Sequence, residues 1–313
     1  SDSLQEVVFS NNRLKRIHFP KNSNITSVKL DGNRFRRIPR SLKRLKNLKT
    51  LEMERNRIKH IPRFLRKMET LQEINLNFNM VKLNKQAVKN LSGVNQILLA
   101  GNHLKQLPKN IGNLKAARKL NFAKNELTTL PASFDKLDSL KILIFYKNHF
   151  NRIPSEVFRL HQLIQLDFYY NNLKSISPAI GELTNLKQLF LSFNHISVLP
   201  DSMQQLTQLR YLYIHHNNLK VIPEWMKNLT RLQRVGFGYN QLFFIPDLSG
   251  LKELKEADFQ HNNLSYFPWK MAASPTIEIL ILRNNPFILS QEEKEKIHRL
   301  VKEKRALGYT LIP

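Results

Sequence analysis

The sequence contains no cysteine and few glycines, 9 among 313 residues. Without cysteine the chain can form no disulfide bond, thiolate metal site or cysteine nucleophile. This composition is compatible with the cytoplasm and with a bacterial exported protein, so both locations stay open. The low glycine count and the 42% apolar content exclude a collagen-like or disordered chain and indicate an ordered protein.

Long apolar runs are also missing. No stretch of about 18 apolar residues occurs, so the sequence predicts no membrane span. The first ten residues, SDSLQEVVFS, lack the basic and then apolar order of a signal peptide.

Negative charge is scarce. The chain has 24 Asp and Glu against 50 Lys and Arg, which gives a formal net charge of +26. Residues 1–70 hold 19 Lys and Arg against 6 Asp and Glu, so half of the excess, +13, falls in less than a quarter of the chain. Such a distribution predicts electrostatic attraction of an acidic partner.

The sequence has an internal period of 23 residues. The segments LKILIFYKNHF, LIQLDFYYNNL, LKQLFLSFNHI and LRYLYIHHNNL follow one another at that spacing from Leu140 to Leu209. Extended in both directions, the period gives thirteen copies between Leu4 and Asn285, with two shorter steps of 21 and 22 residues. Positions one, four, six and eleven of every copy are apolar, and position nine is always Asn.

This pattern resembles the leucine-rich repeat family, in its 23-residue class with the frame LxxLxLxxNxLxxIPxxLxxLxx, over nearly the whole chain. The resemblance implies an α/β fold, a right-handed solenoid or horseshoe with about thirteen parallel strands on its concave face and short α-helical or 3₁₀ segments on its convex face. It also implies protein binding and signalling, as in intracellular Ras-pathway scaffolds and bacterial effectors or surface proteins.

The residues support the same fold on physical grounds. Alternating burial at positions four to six is a strand signal, and equal spacing places each strand beside its predecessor. The Asn at position nine lies where the chain turns inward, and its amide can bond backbone groups that the turn would otherwise bury unpaired. We expect these side chains to form a ladder that includes Asn56, Asn102, Asn125, Asn148, Asn171, Asn194, Asn217 and Asn240.

The repeats define the domain organisation. We expect a solenoid of thirteen repeats over residues 1–287 and a C-terminal helical cap over residues 288–313, within one domain. Ser290 and Glu293 stand at capping-box spacing at the start of this helix. The fourth repeat lacks the proline and has Asn84 where other repeats have Ile or Leu, which predicts a more helical or locally bulged convex segment. No comparable cap precedes Leu4, so we expect the natural protein to continue upstream.

Large side chains occupy the positions between the core leucines. Positions three, five, seven and eight of a repeat are predicted to lie on the concave face or at its rim, and repeats seven to eleven fill them with aromatic and apolar residues. Exposed aromatic clusters are uncommon on monomers and enriched where proteins bind. We therefore predict a protein or peptide site formed by Ile142, Ile144, Tyr146, Asp167, Tyr169, Phe190, Tyr211, Tyr213, His215, His216 and Tyr239.

A structural alternative stays open for position eight. Side chains there can lean toward the loop core and cover the edge of the Asn ladder, and this interpretation applies to Phe78, Tyr170, Phe193 and Tyr239. Positions five and seven are harder to explain in this way.

No arrangement of residues predicts catalysis. His216 and His261 would lie about 10 Å apart on strands spaced by 4.8 Å, too far to share a metal ion. The carboxylates of Asp31, Glu52 and Glu54 have no nucleophile or phosphate loop beside them, which favours a solvated face. We therefore expect a protein that is not an enzyme, with no cofactor and no metal, and we favour a monomer.

The alternative function is binding of a polyanion, that is, nucleic acid, anionic lipid or glycan. The basic residues of the first three repeats fall mainly on turns and convex segments, in the stretch from Arg34 to Lys67. A contiguous basic face binds such ligands through contacts that weaken with salt. No aromatic residues interleave with this face, so a role in solubility is the competing explanation.

Overall fold

The structure is a computed structural model that describes residues 4–21 and 24–313. The chain divides into two compact units. The N-terminal unit comprises residues 1–149 and 154–163, and the C-terminal unit comprises residues 150–153 and 164–313. Residues 1–3 and 22–23, which belong to the predicted solenoid, lie outside the described residues.

The N-terminal unit contains seven described strands of three residues each, and every strand for which pairing is described runs parallel to its sequence neighbour. The strands are β1 (Glu6–Val8), β2 (Ser27–Lys29), β3 (Thr50–Glu52), β4 (Glu73–Asn75), β5 (Gln96–Leu98), β6 (Lys119–Asn121) and β7 (Ile142–Ile144). The helical segments are α1 (Lys85–Asn90) and the 3₁₀ helices Arg40–Arg44, Arg63–Lys67, Ile111–Asn113, Ala132–Lys136 and Ser155–Arg159.

The C-terminal unit repeats this arrangement with seven more described strands. They are β8 (Gln165–Asp167), β9 (Gln188–Phe190), β10 (Tyr211–Tyr213), β11 (Arg234–Gly236), β12 (Glu256–Asp258), β13 (Ile279–Ile281) and β14 (Thr310–Ile312). The helical segments are the 3₁₀ helices Pro178–Glu182, Asp201–Gln205 and Glu224–Asn228, and the α-helices α2 (Trp269–Ala273) and α3 (Gln291–Ala306).

The strand register follows the 23-residue period directly. Leu212 of β10 pairs with Leu189 of β9, and Tyr213 pairs with Phe190. Each repeat position thus continues as a row across neighbouring strands, and side chains at position four, such as Leu189 and Leu212, are fully buried. Positions three and five then point to the opposite side of the sheet because side chains alternate along a strand.

The helical segments start where the sequence places proline. Pro39, Pro62 and Pro131 each precede a 3₁₀ helix and have extended or near-extended backbone angles, since proline fixes φ and ends hydrogen bonding to the preceding chain. The repeat without this proline has α1 instead, where the Asn84 side chain accepts a hydrogen bond from the Ala87 N–H at 2.9 Å. The prediction of a more helical fourth repeat is confirmed.

Phenylalanines fill the interior beside the leucines. In the N-terminal unit Phe122 and Phe145 stack with ring centroids 5.9 Å apart, and in the C-terminal unit Phe237 and Phe259 do so at 6.0 Å. All four are 0% exposed. Rings at position six therefore form part of a continuous apolar core in each unit.

The asparagines at position nine bond the buried turns of adjacent repeats. The side chain of Asn194 accepts from the Leu173 N–H at 2.9 Å and donates to the carbonyl oxygens of Phe168, Leu191 and Ser192 at 3.0, 2.9 and 3.3 Å. In the N-terminal unit Asn125 and Asn148 repeat this pattern. These amides supply partners that buried backbone groups need.

The end of the chain differs from the expectation in one respect. Helix α3 has the predicted capping box, with mutual hydrogen bonds between Ser290 and Glu293. After the helix, however, Thr310–Ile312 form β14 and pair with β13, so the described residues contain fourteen strands where about thirteen were predicted. The sequence did not predict this strand because YTLIP lacks the Asn and the leucine frame of a repeat. Its backbone is extended because it pairs with the edge of β13.

Candidate functional site

The predicted aromatic residues of the C-terminal unit lie on one surface, which we call the strand face. It consists of side chains at positions three and five of each strand and positions seven and eight of the loop that follows. Phe190 and Tyr213, both at position five, stack with centroids 5.7 Å apart and an interplanar angle of 5°. Tyr213 also stacks on His215 at 5.8 Å. Three nearly parallel rings therefore stack side by side on the strand face.

Five rings at position eight form a second feature, the aromatic column. Tyr170, Phe193, His216, Tyr239 and His261 stack in that order, with successive centroids 4.2, 4.0, 4.1 and 4.1 Å apart. Tyr170 and Tyr239 remain 42% and 37% exposed. The column is therefore a partly exposed stack on the surface of the unit.

The backbone beneath the column is unusual. Each of its five residues has a φ between 51° and 56°, in the left-handed region that favours glycine or asparagine. Position eight has a positive φ in the described repeats of both units. Outside the column, the residue at this position is Gly, Asn, Lys or Arg in every repeat except the one with Phe78. Aromatic residues carry a conformational cost in this position, so stacking between them is the compensation that the structure shows.

Tyr169 packs against the aromatic column. Its ring makes edge contacts with Tyr170 and Phe193, with centroids 4.9 and 5.2 Å away. Its backbone N–H donates to the Asp167 carboxylate at 2.8 Å. Burial raises the pKa of Asp167 to about 6, although that hydrogen bond opposes the shift. Asp167 therefore holds the turn that presents Tyr169.

His215 occupies a space that two glycines provide. A Cβ at Gly236 would lie 2.0 Å from Nε2 of His215 and 2.7 Å from Cδ1 of Tyr213. A Cβ at Gly238 would lie 3.2 Å from Nδ1 of His215 and 3.1 Å from the Asp258 carboxylate. The imidazole thus lies across the neighbouring repeat, in a position that any larger residue would obstruct.

Asp258 of β12, two strands from β10, approaches this imidazole. Its Oδ2 lies 3.7 Å from Nδ1 of His215, and its carboxylate accepts hydrogen bonds from the N–H and the side chain of Gln260 at 2.9 Å each. Burial lowers the pKa of His215, and the Asp258 charge only partly offsets this effect. Burial and the nearby His261 also lower the pKa of His216. The lowered pKa values favour the neutral form of both rings, and neutral rings stack without an ionic penalty.

Polar groups surround the rings. The Tyr211 hydroxyl donates to Gln233 at 3.2 Å. Arg234 lies 3.5 Å from the Glu256 carboxylate. The pKa of Tyr213 is raised mainly by burial and next by the charge of Glu256, while Arg234 lowers it. An apolar centre with a hydrogen-bonding rim is typical of protein-binding surfaces.

The strand face of the N-terminal unit has a different chemistry. Ile142, Ile144 and Tyr146 are half-buried there, at positions three, five and seven of β7 and its loop. The Phe78 ring lies near two cations, with Arg55 at 5.7 Å and Lys124 at 5.3 Å from its centroid. Cation–π pairs thus replace ring stacks at position eight of this unit.

The carboxylates of the N-terminal unit make a separate cluster. Asp31 accepts a hydrogen bond from the Glu54 N–H at 2.6 Å. Burial raises the pKa of Asp31, and burial followed by the Asp31 charge raises the pKa of Glu52. Within residues 4–21 and 24–313, no group of three or more His, Asp or Glu side chains could hold a metal ion.

Sequence reasoning did not identify three residues on which the site depends. Gly236 and Gly238 interrupt the row of aromatic residues, and Asp258 is an acidic residue among apolar positions. Gly236, the last residue of β11, is an available signal, since glycine in a strand marks a close approach of another group.

Comparison with known proteins places these features in a family. The family model described as "Leucine-rich repeat region" matches residues 77–194 and residues 154–267. A second model, described as "Leucine rich repeat", matches residues 23–81. A search of curated protein sequences finds no match. No helix in the described part of the chain is long and apolar enough to cross a membrane.

Solved structures show the same fold. A leucine-rich repeat protein of Leptospira interrogans is 27% identical, with a TM-score of 0.81, and the alignment covers 100% of this chain and 84% of that one. An internalin of Listeria monocytogenes is 22% identical with a TM-score of 0.78, covering 93% and 84%. The plant peptide hormone receptor RGFR1, solved in complex with RGF2, is 25% identical with a TM-score of 0.69, covering 91% and 48%.

Leucine-rich repeat proteins are generally non-catalytic binding scaffolds, and several neighbours of this fold are solved with protein or peptide ligands. The frame of apolar residues and asparagines, the parallel strands that it produces and the family matches lead to one conclusion. The chain belongs to the leucine-rich repeat family and has its solenoid fold.

Proposed function

We propose that the protein is a recognition scaffold whose strand face binds a protein or peptide, mainly through the aromatic rings of the C-terminal unit. The observation that carries this proposal is the aromatic column, five rings with successive centroids 4.0 to 4.2 Å apart, whose Tyr170 and Tyr239 are 42% and 37% exposed. Tyrosine is among the residues that contribute most to binding at protein interfaces.

Preorganisation supports the proposal. Ordering a flexible side chain at an interface costs about 0.5–1.5 kcal/mol. The rings of Tyr213 and Tyr239 already stack on their neighbours, and His215 is held across Gly236. A partner would therefore meet a surface whose side chains lose little further freedom on binding.

The nature of the partner follows from the chemistry of the face. Rings with hydroxyl and imidazole edges accept apolar side chains and also bond peptide groups at their rim. The plant receptor with the same fold is described as a peptide hormone receptor and is solved with RGF2. The net charge of +26 would attract an acidic partner at long range. Ile142, Ile144 and Tyr146 of the N-terminal unit are proposed as further contacts.

Selection from a random peptide display library tests this function. Peptides captured by the wild-type protein are measured again with the double variant Tyr169→Ala/Tyr213→Ala. We expect the affinity to fall by about 2 kcal/mol or more, because each residue is a partly exposed ring in the proposed centre. Circular dichroism confirms that the variant is folded.

The matched control is Phe243→Ala, which removes a 56% exposed ring that is not on the strand face. We expect this variant to retain wild-type affinity. Equal loss in both variants, or no loss in the double variant, would remove the strand face as the binding site.

A further inference from the structure

A cleft of about 1160 Å³ opens in the N-terminal unit, apart from the strand face of the C-terminal unit. Segments from three successive repeats line it, namely residues 15–18, residues 34–41 with Lys43 and Arg44, and Arg57. We call it the arginine cleft because arginine is its commonest lining residue. Seven arginines line it: Arg16, Arg34, Arg36, Arg37, Arg40, Arg44 and Arg57.

The charge of the cleft has one sign. Nine of its lining residues are Lys or Arg, one more is His18, and no carboxylate lines it. None of these cations forms an ion pair with a carboxylate of the described residues. Elsewhere in the same unit cations do find partners, as Lys29 does with Glu6 at 2.9 Å and Lys115 with Asp138 at 3.0 Å. Crowded like charges without counter-charges favour the binding of an anion.

The cleft rests on an ordered base. Phe35 and Ile38 of its lining are buried, at 1% and 4% exposure. The Ser41 hydroxyl accepts from the Phe19 N–H at 3.1 Å and donates to the Ile17 carbonyl at 3.4 Å, which joins the first two repeats. The cations therefore extend from a packed surface, so a ligand need not order the backbone on binding.

The side chains indicate which anion fits. The guanidinium group presents a planar fork that pairs with two oxygens of a phosphate. Phe35, the only Phe, Tyr or Trp of the lining, is buried, and the only other ring is the His18 imidazole, so bases of single-stranded nucleic acid find little aromatic surface for stacking. The cleft volume is close to the range of about 300–1,000 Å³ typical of small-ligand sites.

We propose that the arginine cleft binds a compact anion with several phosphate groups, of the inositol polyphosphate type, either free or as the headgroup of a lipid. This site gives a specific form to the polyanion alternative that the sequence raised. It shares no residue with the proposed peptide site, so either proposal can fail without the other.

The test uses the whole chain and inositol hexakisphosphate, with binding measured by isothermal titration calorimetry near physiological salt. The cleft variant is Arg36→Gln/Arg40→Gln/Arg57→Gln, because these three side chains are exposed and form no hydrogen bond or ion pair with the described residues. The control variant Lys294→Gln/Arg299→Gln/Lys302→Gln removes the same charge from exposed positions of α3. Thermal unfolding of both variants establishes that they are folded.

We expect affinity to fall about tenfold or more in the cleft variant, since charge-assisted hydrogen bonds to phosphate are lost. The control variant should change the affinity by less than about threefold, because it alters only the net charge and salt screens that effect. Absence of binding by the wild type, or equal losses in the two variants, would overturn the proposal. Equal affinity for heparin or duplex DNA would also overturn it and indicate a general polyanion surface.

Vesicles separate the two sources of the ligand. Co-sedimentation is measured with phosphatidylcholine vesicles that contain either a phosphatidylinositol bisphosphate or phosphatidylserine. Binding to the first alone, displaced by inositol hexakisphosphate, identifies a lipid headgroup. Binding of inositol hexakisphosphate without vesicle binding identifies a free ligand. Binding to both vesicles that the cleft variant retains would contradict the assignment to the cleft.

Discussion

Replacement of Asp167 by Asn should stabilise the protein at alkaline pH. The Asp167 carboxylate is largely removed from water, which raises its pKa to about 6 from the ordinary value of 3.8. Its role in the fold needs only an acceptor, since it receives the Tyr169 N–H at 2.8 Å. Asn121, at the same repeat position in the N-terminal unit, accepts the Ala123 N–H at 2.9 Å with a neutral amide. Asn should therefore keep the hydrogen bond and remove the cost of a poorly solvated charge.

The pKa values set the size and the sign of the effect. A carboxyl group with a raised native pKa binds its proton more tightly in the folded state, so the native state gains stability as pH falls from about 6 to about 4. A shift of about 2 units corresponds to about 3 kcal/mol at most. Asp167 retains some solvent exposure, so we expect Asp167→Asn to gain about 1–2 kcal/mol at pH 8 and little or nothing at pH 4.

Urea denaturation followed by circular dichroism measures this gain at both pH values. Comparison of the variant with the wild type at each pH cancels the titration of all other groups, including the histidines. Asp167→Ala is the control, because it removes the charge and the acceptor together and should destabilise the turn. An equal effect of Asp167→Asn at pH 4 and pH 8 would refute the assignment of the penalty to the ionised carboxylate.

Two further predictions concern the scaffold. Asn194→Leu should lower the free energy of unfolding by about 3 kcal/mol or more, because it leaves the buried Leu173 N–H and three carbonyl groups without the partners they have now. The exposed Asn218→Leu should stay within about 0.5 kcal/mol of the wild type in the same urea titration, and an equal loss would argue against the ladder. Gly236→Ala should displace His215, cost about 1–3 kcal/mol and shift the imidazole resonances in NMR spectra. At Gly250 an added Cβ would meet no atom within 4 Å, so Gly250→Ala should leave both the stability and the spectrum unchanged.

The strand face shows why a repeat sequence predicts surfaces better than most sequences do. A fixed period converts position in the chain into position in a row, so residues 23 apart, such as Phe190 and Tyr213, are predicted neighbours and pair in register. The stacking of position-eight rings was less accessible to sequence reasoning. It depends on the left-handed backbone at that position, and the identities Tyr, Phe and His do not indicate a positive φ.

The sequence by itself determined the repeat, the parallel strands and the rows of apolar and asparagine residues, because each of these depends on local spacing that recurs along the chain. Only the tertiary structure decided how side chains from different repeats meet. The position of His215 over Gly236, its approach to Asp258 and the convergence of three basic segments on one cleft all depend on distances between repeats. Those distances result from packing in three dimensions, which no single repeat encodes.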